Sequence, residues 1–409
     1  MKYASHEDNR YKRSHLAMEG GKPVRSKDNL LVFGAPLVEE DEIEEVVQCM
    51  RSRWIGTGPR AHQFESDFAA YKKKRFAIAV NSCTAALHLS MLSSGIGPGD
   101  EVITTPMTFC ATVNAIIHSG ATPVLVDCDR ATMNISPELI EEKITSRTKA
   151  ILVVHFAGRC CEMDPIMDIA KSYNLMVIED CAHAIESEYH GKKSGDFGDA
   201  GCFSFYVTKN ITTGEGGMVV TDDERIASKV KVLGLHGMSK DAWKRFSDEG
   251  YKHYEVVFAG FKYNMTDIQA AMGIHQLKRI EKYWQRRHEI WNIYNYRFAG
   301  LPCVLPAEAE PETRHAYHLY TPLIDIKRLG KSRDWVLNAL TAENIGTGVH
   351  YIPIHRHPYY RNTFGWREGQ FPNAEWIGDR TISLPLSPAL SAADVDDVVN
   401  AFSKVMGTV

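Results

Sequence analysis

A single lysine stands in a loop of small, polar and glycine residues between two runs that predict strands. The stretch "FYVTKNITTGEGGMVV", residues 205–220, places Lys209 shortly after the first of these runs. A free lysine amine titrates near pH ~10.4 and is a poor nucleophile at neutral pH. Partial burial and nearby positive charge lower this pKa, and the neutral amine can then attack a carbonyl carbon. Lys209 is therefore either a structural lysine paired with a carboxylate or the amine of a Schiff base.

A carboxylate stands at the end of a second apolar run. In "VIEDCAHA" the apolar residues lead into Asp180, and His183 follows shortly after it. A carboxylate at the end of a buried strand is costly unless it meets a cation. A protonated pyridine nitrogen would supply that cation. The alternative is that Asp180 only caps the following turn.

A third strand end is followed by a turn suited to a phosphate group. The turn "NSCT" opens a predicted helix, whose free backbone N–H groups and positive dipole end attract anions. Cys83 and Thr84 lie in this turn, and the hydroxyl of Ser204, at another strand end, could meet the same phosphate. Phe109 could stack on a flat ring or simply pack in the core. An ordinary helix cap would also explain the turn.

Each of these signals is weak alone, but their order along the chain is informative. A phosphate turn, a strand-end aspartate and a strand-end lysine follow one another, as in enzymes that use pyridoxal 5'-phosphate (PLP). In such enzymes a lysine forms a Schiff base with the cofactor and an acid partners the pyridinium nitrogen. The set predicts a PLP site. No metal is expected, because no cysteine pair has the C-x-x-C spacing of a zinc site.

For these residues to meet, their strands must share one edge of a sheet. Apolar runs alternate with helical patterns from residue 76 to residue 221, which predicts an α/β fold with a mostly parallel sheet between helices. Ligands of such sheets bind beyond the carboxyl ends of the strands. We also predict a helix in "SPELIEEKI" and strands in "HAYHLYTPLI" and "GTGVHYI". The predicted parts are a polar, flexible leader over 1–30, a large PLP-binding domain over 31–280, and a linking helix with a small α+β domain over 281–409.

The composition argues against two classes of partner. The 409 residues carry a formal charge of -4, and there is no long basic run, so we expect no nucleic acid and no membrane partner. No apolar run is long enough to be a membrane-spanning helix. The nine cysteines are odd in number and mostly lie in apolar runs, which indicates free thiols in a reducing compartment. We therefore expect a cytoplasmic protein.

From about residue 34 to residue 402 the sequence resembles the DegT-type (DegT/DnrJ/StrS) nucleotide-sugar aminotransferases, which are fold-type I PLP enzymes. Motifs that carry the resemblance include "WIGTGP", "NSCTAALHL", "VIEDCAHAI", "CFSFYVTKNITTGEGGMVVT" and "KYNMTDIQAAMG". The segments "KYN" and "GTGVHYIPIHRHPYYR" are most similar to enzymes that aminate C4 of UDP-4-keto sugars. The resemblance implies a homodimer that moves an amino group from an amino acid, by family habit L-glutamate, to a nucleotide-linked keto sugar. Such enzymes serve glycan, lipopolysaccharide or antibiotic amino-sugar synthesis.

The resemblance also implies a role for each candidate residue. Lys209 matches the Schiff-base lysine that moves the proton in a ping-pong reaction, while the cofactor alternates between PLP and pyridoxamine phosphate. Asp180 matches the acid at the pyridinium nitrogen, and His183 matches the residue beside the ring oxygen. The other residues implied to bind the cofactor are Cys83, Thr84, Phe109, Ser204, Lys262 and Asn264.

Lys262 and Asn264 depart from the family pattern. Many members complete each site with the asparagine of a G-x-N-[YF]-R segment from the partner subunit, whereas "GFKYN" has Lys262 at that asparagine. Lys262 could still reach a phosphate as an ammonium group. The nucleotide sugar must be bound away from the cofactor, and histidines proposed for that role could instead be structural. The candidates for substrate binding are Trp54, Thr57, Gly58, His350, Tyr351, His355 and Arg356.

Other functions fit parts of the pattern. Dehydratases that resemble this family carry histidine where Lys209 stands, and an inosose-type aminotransferase would need no nucleotide pocket. A non-catalytic regulatory protein would keep the fold but is expected to have lost Lys209 or Asp180. A dinucleotide-dependent oxidoreductase needs G-x-G-x-x-G at a helix start after a strand, which this chain lacks.

Overall fold

A computed structural model of the chain describes residues 15–239 and 254–407. Strands of four residues or more are rich in apolar and β-branched residues, as expected of strands that are buried on both faces. Twelve strands occur in the described residues. They are β1 (Phe76–Val80), β2 (Glu101–Thr104), β3 (Thr122–Leu125), β4 (Thr148–Val154), β5 (Met176–Asp180), β6 (Glu188–Tyr189), β7 (Lys192–Lys193), β8 (Ala200–Ser204), β9 (Gly217–Thr221), β10 (Cys303–Val304), β11 (Thr313–Arg314) and β12 (Leu323–Ile324).

Seven of these strands form one sheet in the order β1-β9-β8-β5-β4-β2-β3. Strand β9 pairs antiparallel with β1 and β8, and the other neighbours are parallel. Parallel neighbours need crossover connections, which helices supply here. The predicted α/β fold with a mostly parallel sheet is confirmed. The smaller sheets are β11-β6-β7 and β10-β12.

Thirteen α-helices occur in the described residues, and none of them is both long enough and apolar enough to span a membrane. They are α1 (Glu40–Ser52), α2 (Pro59–Lys72), α3 (Cys83–Ser93), α4 (Cys110–His118), α5 (Met163–Tyr173), α6 (Glu224–Gly234), α7 (Asp267–Lys278), α8 (Ile280–Phe298), α9 (Ile326–Leu329), α10 (Arg333–Ala342), α11 (Pro358–Phe364), α12 (Pro372–Gly378) and α13 (Ala392–Met406).

The helices cover both faces of the large sheet. Side chains such as Ile78 and Leu152 point to one face and pack with α3, α4 and α6. Their sequence neighbours Ala77 and Val153 point to the other face, where α2, α5 and α7 lie. Successive strand residues point to opposite faces, so continuous apolar runs result when both faces are buried.

The strand registers place the strand ends that carry the candidate site residues side by side. Val80 and Ser204 both pair with Gly217, and Val154 pairs with Asp180. The carboxyl ends of β1, β4, β5 and β8 therefore meet at one edge of the sheet, beside the start of β9. Lys209 lies in the loop between β8 and β9, so the chain carries it along this edge.

The C-terminal part of the chain has an apolar core of its own. Side chains from α8, α10 and α13 form it, including Trp291, Val336 and Phe402. Helices α7 and α8 are separated at residue 279, next to the predicted boundary at residue 280. The division into a large and a small domain stays a prediction.

Three local predictions differ from the structure. The segment "SPELIEEKI" forms two short 3-10 helices, and Ser136 makes no side-chain cap bond. The segment "HAYHLYTPLI" contains the two-residue strand β12 and an isolated bridge between Tyr320 and Leu384, and "GTGVHYI" contains an isolated bridge between Gly348 and Ser383. Alternation of apolar and polar residues indicates which side chains are buried. An irregular segment that is packed between other elements can show the same alternation as a strand.

The described part of the predicted leader, residues 15–30, packs on the C-terminal core, whereas the sequence predicted a flexible segment. Leu16 is 1% exposed and belongs to that core. The Glu343 carboxylate accepts the backbone N–H groups of Ala17 and Val24, each at 2.9 Å. The buried carboxylate that holds this segment lies more than 300 positions away in the sequence. The composition of residues 15–30 alone therefore could not predict that the segment is ordered. Residues 1–14 lie outside the described residues.

Candidate active site

A cavity of about 590 Å³ opens at the carboxyl edge of the sheet. It lies where the ends of β1, β5 and β8 meet the start of α4 and a segment of the C-terminal part. The fold therefore gathers residues that are spread from position 83 to position 351. The predicted site residues that line the cavity are Cys83, Thr84, Phe109, Asp180, His183, Ser204, Lys209, His350 and Tyr351.

Lys209 reaches the cavity from a loop whose backbone is fixed. Its backbone N–H donates to the Tyr206 carbonyl oxygen at 2.9 Å. The Thr212 hydroxyl and the Thr213 N–H both donate to the Phe205 carbonyl oxygen, at 3.1 and 2.9 Å. Burial lowers the pKa of Lys209 from 10.5 to about 8, although nearby acidic groups oppose this shift. The neutral amine that attacks a carbonyl carbon is therefore well populated near pH 8.

Asp180 ends β5 at the wall of the cavity and is 5% exposed. Its Oδ2 accepts the Thr112 hydroxyl hydrogen at 2.8 Å, and its Oδ1 accepts the Ala182 N–H at 3.1 Å. Burial raises the pKa of the Asp180 carboxyl above its ordinary value, against these two bonds and the nearby Lys209. A buried carboxylate of this kind is stabilised strongly by a cation that a ligand brings.

The turn before α3 offers backbone N–H groups to the cavity. The Ser82 hydroxyl oxygen caps the helix by accepting the Ala85 N–H at 3.1 Å. Gly217 lies so close that a Cβ atom at this position would sit 2.4 Å from the Ser82 carbonyl carbon. Only glycine permits this approach of β9 to the turn. Ser204 accepts the Tyr206 N–H at 3.3 Å, so its own hydroxyl hydrogen can be donated to a ligand.

His183 and Tyr351 form a hydrogen bond whose direction the backbone determines. The Ala157 N–H donates to His183 Nδ1 at 3.2 Å, so Nδ1 carries a lone pair. Burial, helped by Lys209, holds the pKa of His183 well below its ordinary value, and the ring is neutral. Its hydrogen therefore sits on Nε2, which lies 3.2 Å from the Tyr351 hydroxyl oxygen. Tyr351 accepts this hydrogen and can donate its own to a ligand.

Aromatic rings form the opposite part of the lining. Phe109, directly before α4, is 57% exposed, and its ring centre lies 6.0 Å from that of Tyr351. His350 Nδ1 lies 2.7 Å from the Ser383 hydroxyl oxygen. Burial lowers the pKa of His350 to about 3, so this ring is neutral at physiological pH. An aromatic side chain that is more than half exposed beside a cavity is available to stack on a flat ligand.

The early-loop candidates lie away from the cavity in this chain. The Thr57 hydroxyl accepts an Asn264 amide hydrogen at 2.6 Å, and the Gly58 N–H donates to Asp267 Oδ1 at 2.7 Å. The Lys262 side chain is exposed, although its carbonyl oxygen accepts an Asn81 amide hydrogen at 3.3 Å beside the turn. The predicted residues outside the cavity lining are Trp54, Thr57, Gly58, Lys262, Asn264, His355 and Arg356.

Acids of the C-terminal part hold His355 and Arg356. His355 Nε2 lies 2.9 Å from Glu375 Oε1, in a buried pair. Arg356 pairs with Asp379 at 2.5 Å and with Glu368 at 2.8 Å. Neither side chain lines the cavity of this chain, and a role of either one in substrate binding stays a prediction.

One group of side chains in the described residues has the spacing of a metal site, namely His155, Glu179 and Cys181. His155 Nδ1 accepts the Cys161 N–H at 3.0 Å, and Nε2 lies 3.0 Å from Glu179 Oε2. The Glu179 oxygens also accept the backbone N–H groups of three residues at positions 195, 197 and 198. Both ring nitrogens of His155 and both carboxylate oxygens of Glu179 thus already make hydrogen bonds within the fold.

Sequence reasoning missed the residues that hold the predicted ones in place. Thr108 lies just before α4 and Thr112 in its first turn, and their hydroxyl oxygens lie 2.6 Å apart. Because Thr112 donates to Asp180, Thr108 must donate to Thr112. The spacing of four residues was the available signal. Nothing in the sequence indicated that this face meets Asp180.

The arrangement can bind a flat aldehyde that carries an anionic group. The turn offers N–H donors to the anion, Phe109 offers a stacking surface, and Asp180 offers a partner to a cationic ring nitrogen. Lys209 offers an amine to the carbonyl carbon. Lys209, Asp180, Phe109 and the turn face one cavity, and the role of each toward a ligand stays a prediction.

Residues 36–403 match the DegT/DnrJ/EryC1/StrS aminotransferase family. The chain is 54% identical over 371 residues to the uncharacterized protein MJ1066 of Methanocaldococcus jannaschii, covering 91% of this chain and 96% of that protein. It is 49% identical over 384 residues to the spore coat polysaccharide biosynthesis protein SpsC of Bacillus subtilis, covering 94% and 99%. The fold is similar to the PMP-form of the putative sugar aminotransferase Spr1654 from Streptococcus pneumoniae, with a TM-score of 0.85, 34% identity and coverage of 93% and 98%.

Proposed function

The chain belongs to the DegT/DnrJ/EryC1/StrS aminotransferase family, and we propose that it transfers an amino group from L-glutamate to C4 of a UDP-linked 4-keto-deoxy sugar. The coarser function is established by the family and by the sugar aminotransferases of similar structure: the chain is a sugar aminotransferase that uses PLP. The choice of donor, nucleotide, sugar carbon and residue roles is the proposal.

The observation that carries the proposal is the cavity in which Lys209 and Asp180 face one ligand space. Lys209 would hold the aldehyde carbon of PLP, and Asp180 would pair with its ring nitrogen. Cys83, Thr84 and Ser204 would bind the phosphate. Bound there, PLP supplies an electron sink for the negative charge that develops on the carbon next to the transferred nitrogen.

Lys209 Nζ is the group that moves the proton in both half-reactions. Its pKa of about 8 lets the amine take a proton from the donor carbon and give one back near neutral pH. His183 keeps the Tyr351 hydroxyl turned so that it donates into the cavity. Donor and acceptor use the same lysine in turn, so the kinetics are expected to be ping-pong.

Two features support a nucleotide sugar as acceptor. Tyr206 lines the cavity and leaves 44% of its surface exposed, so its ring can stack on a base or a sugar face. SpsC, a relative at 49% identity, is named for polysaccharide biosynthesis, and such syntheses consume activated sugars. His350 and Tyr351, from the C-terminal part, are the residues proposed to contact the sugar.

The proposal is tested with the full-length protein saturated with PLP. L-Glutamate is expected to convert the visible absorbance of the bound cofactor into that of the pyridoxamine form. A UDP-4-keto-6-deoxy sugar should restore the absorbance and yield a UDP-amino sugar by mass spectrometry. The GDP-linked keto sugar and scyllo-inosose serve as matched controls. Turnover of inosose or of the GDP sugar, without turnover of the UDP sugar, would contradict the proposed acceptor.

We further propose that a second copy of the chain completes each site. Several large apolar side chains at the cavity, in the early loop and at positions 256–258 are about half exposed, and such exposed apolar surface can mark a contact with another protein chain. Lys262 lies beside the phosphate turn with an exposed side chain, ready to reach a neighbouring subunit. The exposed residues are Trp54, Ile55, Phe109, Tyr206, Val256, Val257 and Phe258.

Subunit mixing tests this proposal. Sedimentation is expected to give twice the 46.0 kDa mass of one chain. Lys209→Ala and Lys262→Ala proteins, each impaired alone, should regain activity after they are unfolded and refolded together. Recovery is expected because a hybrid dimer has one site in which both lysines are intact. If Lys262 acts within its own chain, the mixture will stay as impaired as its components.

A further inference from the structure

A buried polar chain lies behind the cavity wall, and the proposed reaction steps do not use it. It consists of Glu186, Asn210 and His318, which are 0%, 5% and 4% exposed. Asn210 directly follows Lys209, and the His318 ring lies 4.4 Å from the His183 ring. These three polar side chains thus connect the buried Glu186 carboxyl group to Lys209 and His183 of the cavity.

The Asn210 amide has only one favourable orientation. Its Nδ2 donates to Glu186 Oε2 at 2.7 Å and to the Ala316 carbonyl oxygen at 2.9 Å. Its Oδ1 lies 2.8 Å from His318 Nδ1. A flipped amide would place oxygen against a carboxyl oxygen and against a carbonyl oxygen. Because the amide oxygen can only accept, His318 must carry its hydrogen on Nδ1.

His318 in turn braces His183. The two rings are tilted by 35° and in contact range, and burial holds the pKa of each well below its ordinary value. The backbone N–H of His318 donates to the Ala157 carbonyl oxygen at 3.1 Å. The Ala157 N–H donates to His183 Nδ1 at 3.2 Å. A shift of His318 would therefore move His183 both through ring contact and through the backbone at Ala157.

Glu186 is held at a cost to stability. Within the described part of the chain its Oε1 has no hydrogen-bond partner, and burial raises the pKa of its carboxyl to about 7. Arg287 of α8 and Arg314 of β11 oppose this rise, and Tyr71 of α2 faces the same carboxyl. A buried polar atom without a partner destabilises the fold. An apolar residue would remove this cost but could not orient Asn210.

We propose that Glu186 is a positioning residue for amino transfer: through the Asn210 amide and the His318 ring it fixes the Lys209 segment and His183 against the cofactor. The inference rests on the proposed function. It adds a residue that touches neither cofactor nor substrate. Small displacements of groups around a reacting centre can cost about 10²-fold in rate.

The first test compares Glu186→Leu with Glu186→Gln in the full-length protein loaded with PLP. Glu186→Leu removes the acceptor of the Asn210 amide, and kcat for glutamate is expected to fall about 10- to 100-fold. The visible absorbance of bound PLP and the KM for glutamate should change little. Glu186→Gln still offers an amide oxygen to Asn210, so it should retain kcat close to that of the wild type.

A reciprocal exchange keeps the proposal testable if Glu186→Leu does not fold. Asn210→Asp places two carboxyl groups together and should lose more kcat than Glu186→Leu. In the double variant Glu186→Gln with Asn210→Asp, the glutamine amide can donate to the new carboxylate. The double variant should therefore be more active than Asn210→Asp alone. If the losses of activity from the two single changes simply multiply in the double variant, the proposed coupling between Glu186 and Asn210 is wrong.

Thermal unfolding of the cofactor-free protein gives a readout that does not depend on activity. The pKa of Glu186 is raised from 4.5 to about 7 in the folded state, so its contribution to stability is lost as pH rises through this window. Glutamine does not titrate. The melting temperature of Glu186→Gln minus that of the wild type should therefore be larger at pH 8 than at pH 5. An equal difference at the two pH values would contradict the buried, titrating carboxyl.

Glu375→Gln is the matched control, because Glu375 is another carboxyl group that accepts a hydrogen bond from a side chain, here His355, but it lies away from the cavity. It should leave kcat unchanged. If Glu186→Leu folds, binds PLP and keeps wild-type kcat, the positioning role is wrong while the proposed function stands. If the wild-type protein binds PLP but transfers no amino group, the proposed function itself fails.

Discussion

Replacement of Lys209 by alanine is expected to lower kcat by about 10⁴-fold, the upper range for loss of a general base. The expected loss is at this upper end because one amine both holds the cofactor and moves the proton. The variant should bind PLP without covalent attachment. Borohydride reduction followed by mass spectrometry should therefore find cofactor on wild-type Lys209 and none on the variant.

Two matched variants separate this role from charge and from burial. Lys209→Arg keeps a positive charge but cannot become a neutral amine, so it should be as inactive as the alanine variant. Lys72→Met removes another buried lysine whose pKa is lowered to about 8 by burial. Lys72 bonds to the Ile185 carbonyl oxygen and to the Ser194 hydroxyl, outside the cavity. Lys72→Met should lose stability but keep attached cofactor; attached cofactor in Lys209→Ala would refute the assignment.

The lowered pKa of Lys209 also predicts how fast the cofactor-free protein captures PLP at different pH values. Only the neutral amine attacks the aldehyde, and this form increases as pH rises through about 8. The capture rate should rise up to that pH and then level off. A rate that continues to climb toward pH 10.5 would mean that the lysine keeps its ordinary pKa.

Replacement of Asp180 by asparagine is the second substitution with a large expected effect. Loss of one partner of a buried charge pair costs about 3–5 kcal/mol, and 3 kcal/mol corresponds to about 150-fold in rate. The asparagine oxygen can accept from Thr112 or from Ala182, and the amide nitrogen then meets the other donor. We expect kcat to fall by about 10²-fold or more, measured in single turnovers with glutamate.

Thr112→Val is the graded control for Asp180. It keeps the carboxylate but removes the hydroxyl that donates to Oδ2 at 2.8 Å. A bond that favours the ionised form is lost, so the pKa of Asp180 should rise further and the acidic limb of the rate profile should move to higher pH. The expected loss is about tenfold, and smaller at high pH than at low pH. Wild-type single-turnover rates in Asp180→Asn would show that the carboxylate does not serve the cofactor.

The sequence by itself determined the layout of the fold and the main chemical groups of the site. Strand-length apolar runs that alternate with helical patterns leave few arrangements other than a parallel sheet between helices. Lys209, Asp180, Ser204 and the turn at residues 81–84 each stand at or just beyond a strand end. Because strand ends meet at one edge in such a sheet, their convergence followed from their positions along the chain.

Only the tertiary structure decided which side chains hold that site and which candidates lie outside it. Thr112 meets Asp180 across 68 positions, and His318 meets Asn210 across 108. His355, a candidate for substrate binding that could also be structural, forms a buried pair with Glu375 outside the cavity lining. Local patterns report burial and periodicity, but they do not report which side chain a residue will face across the fold. Those pairings depend on packing between distant segments, and the positioning chain from Glu186 to His183 consists entirely of such pairings.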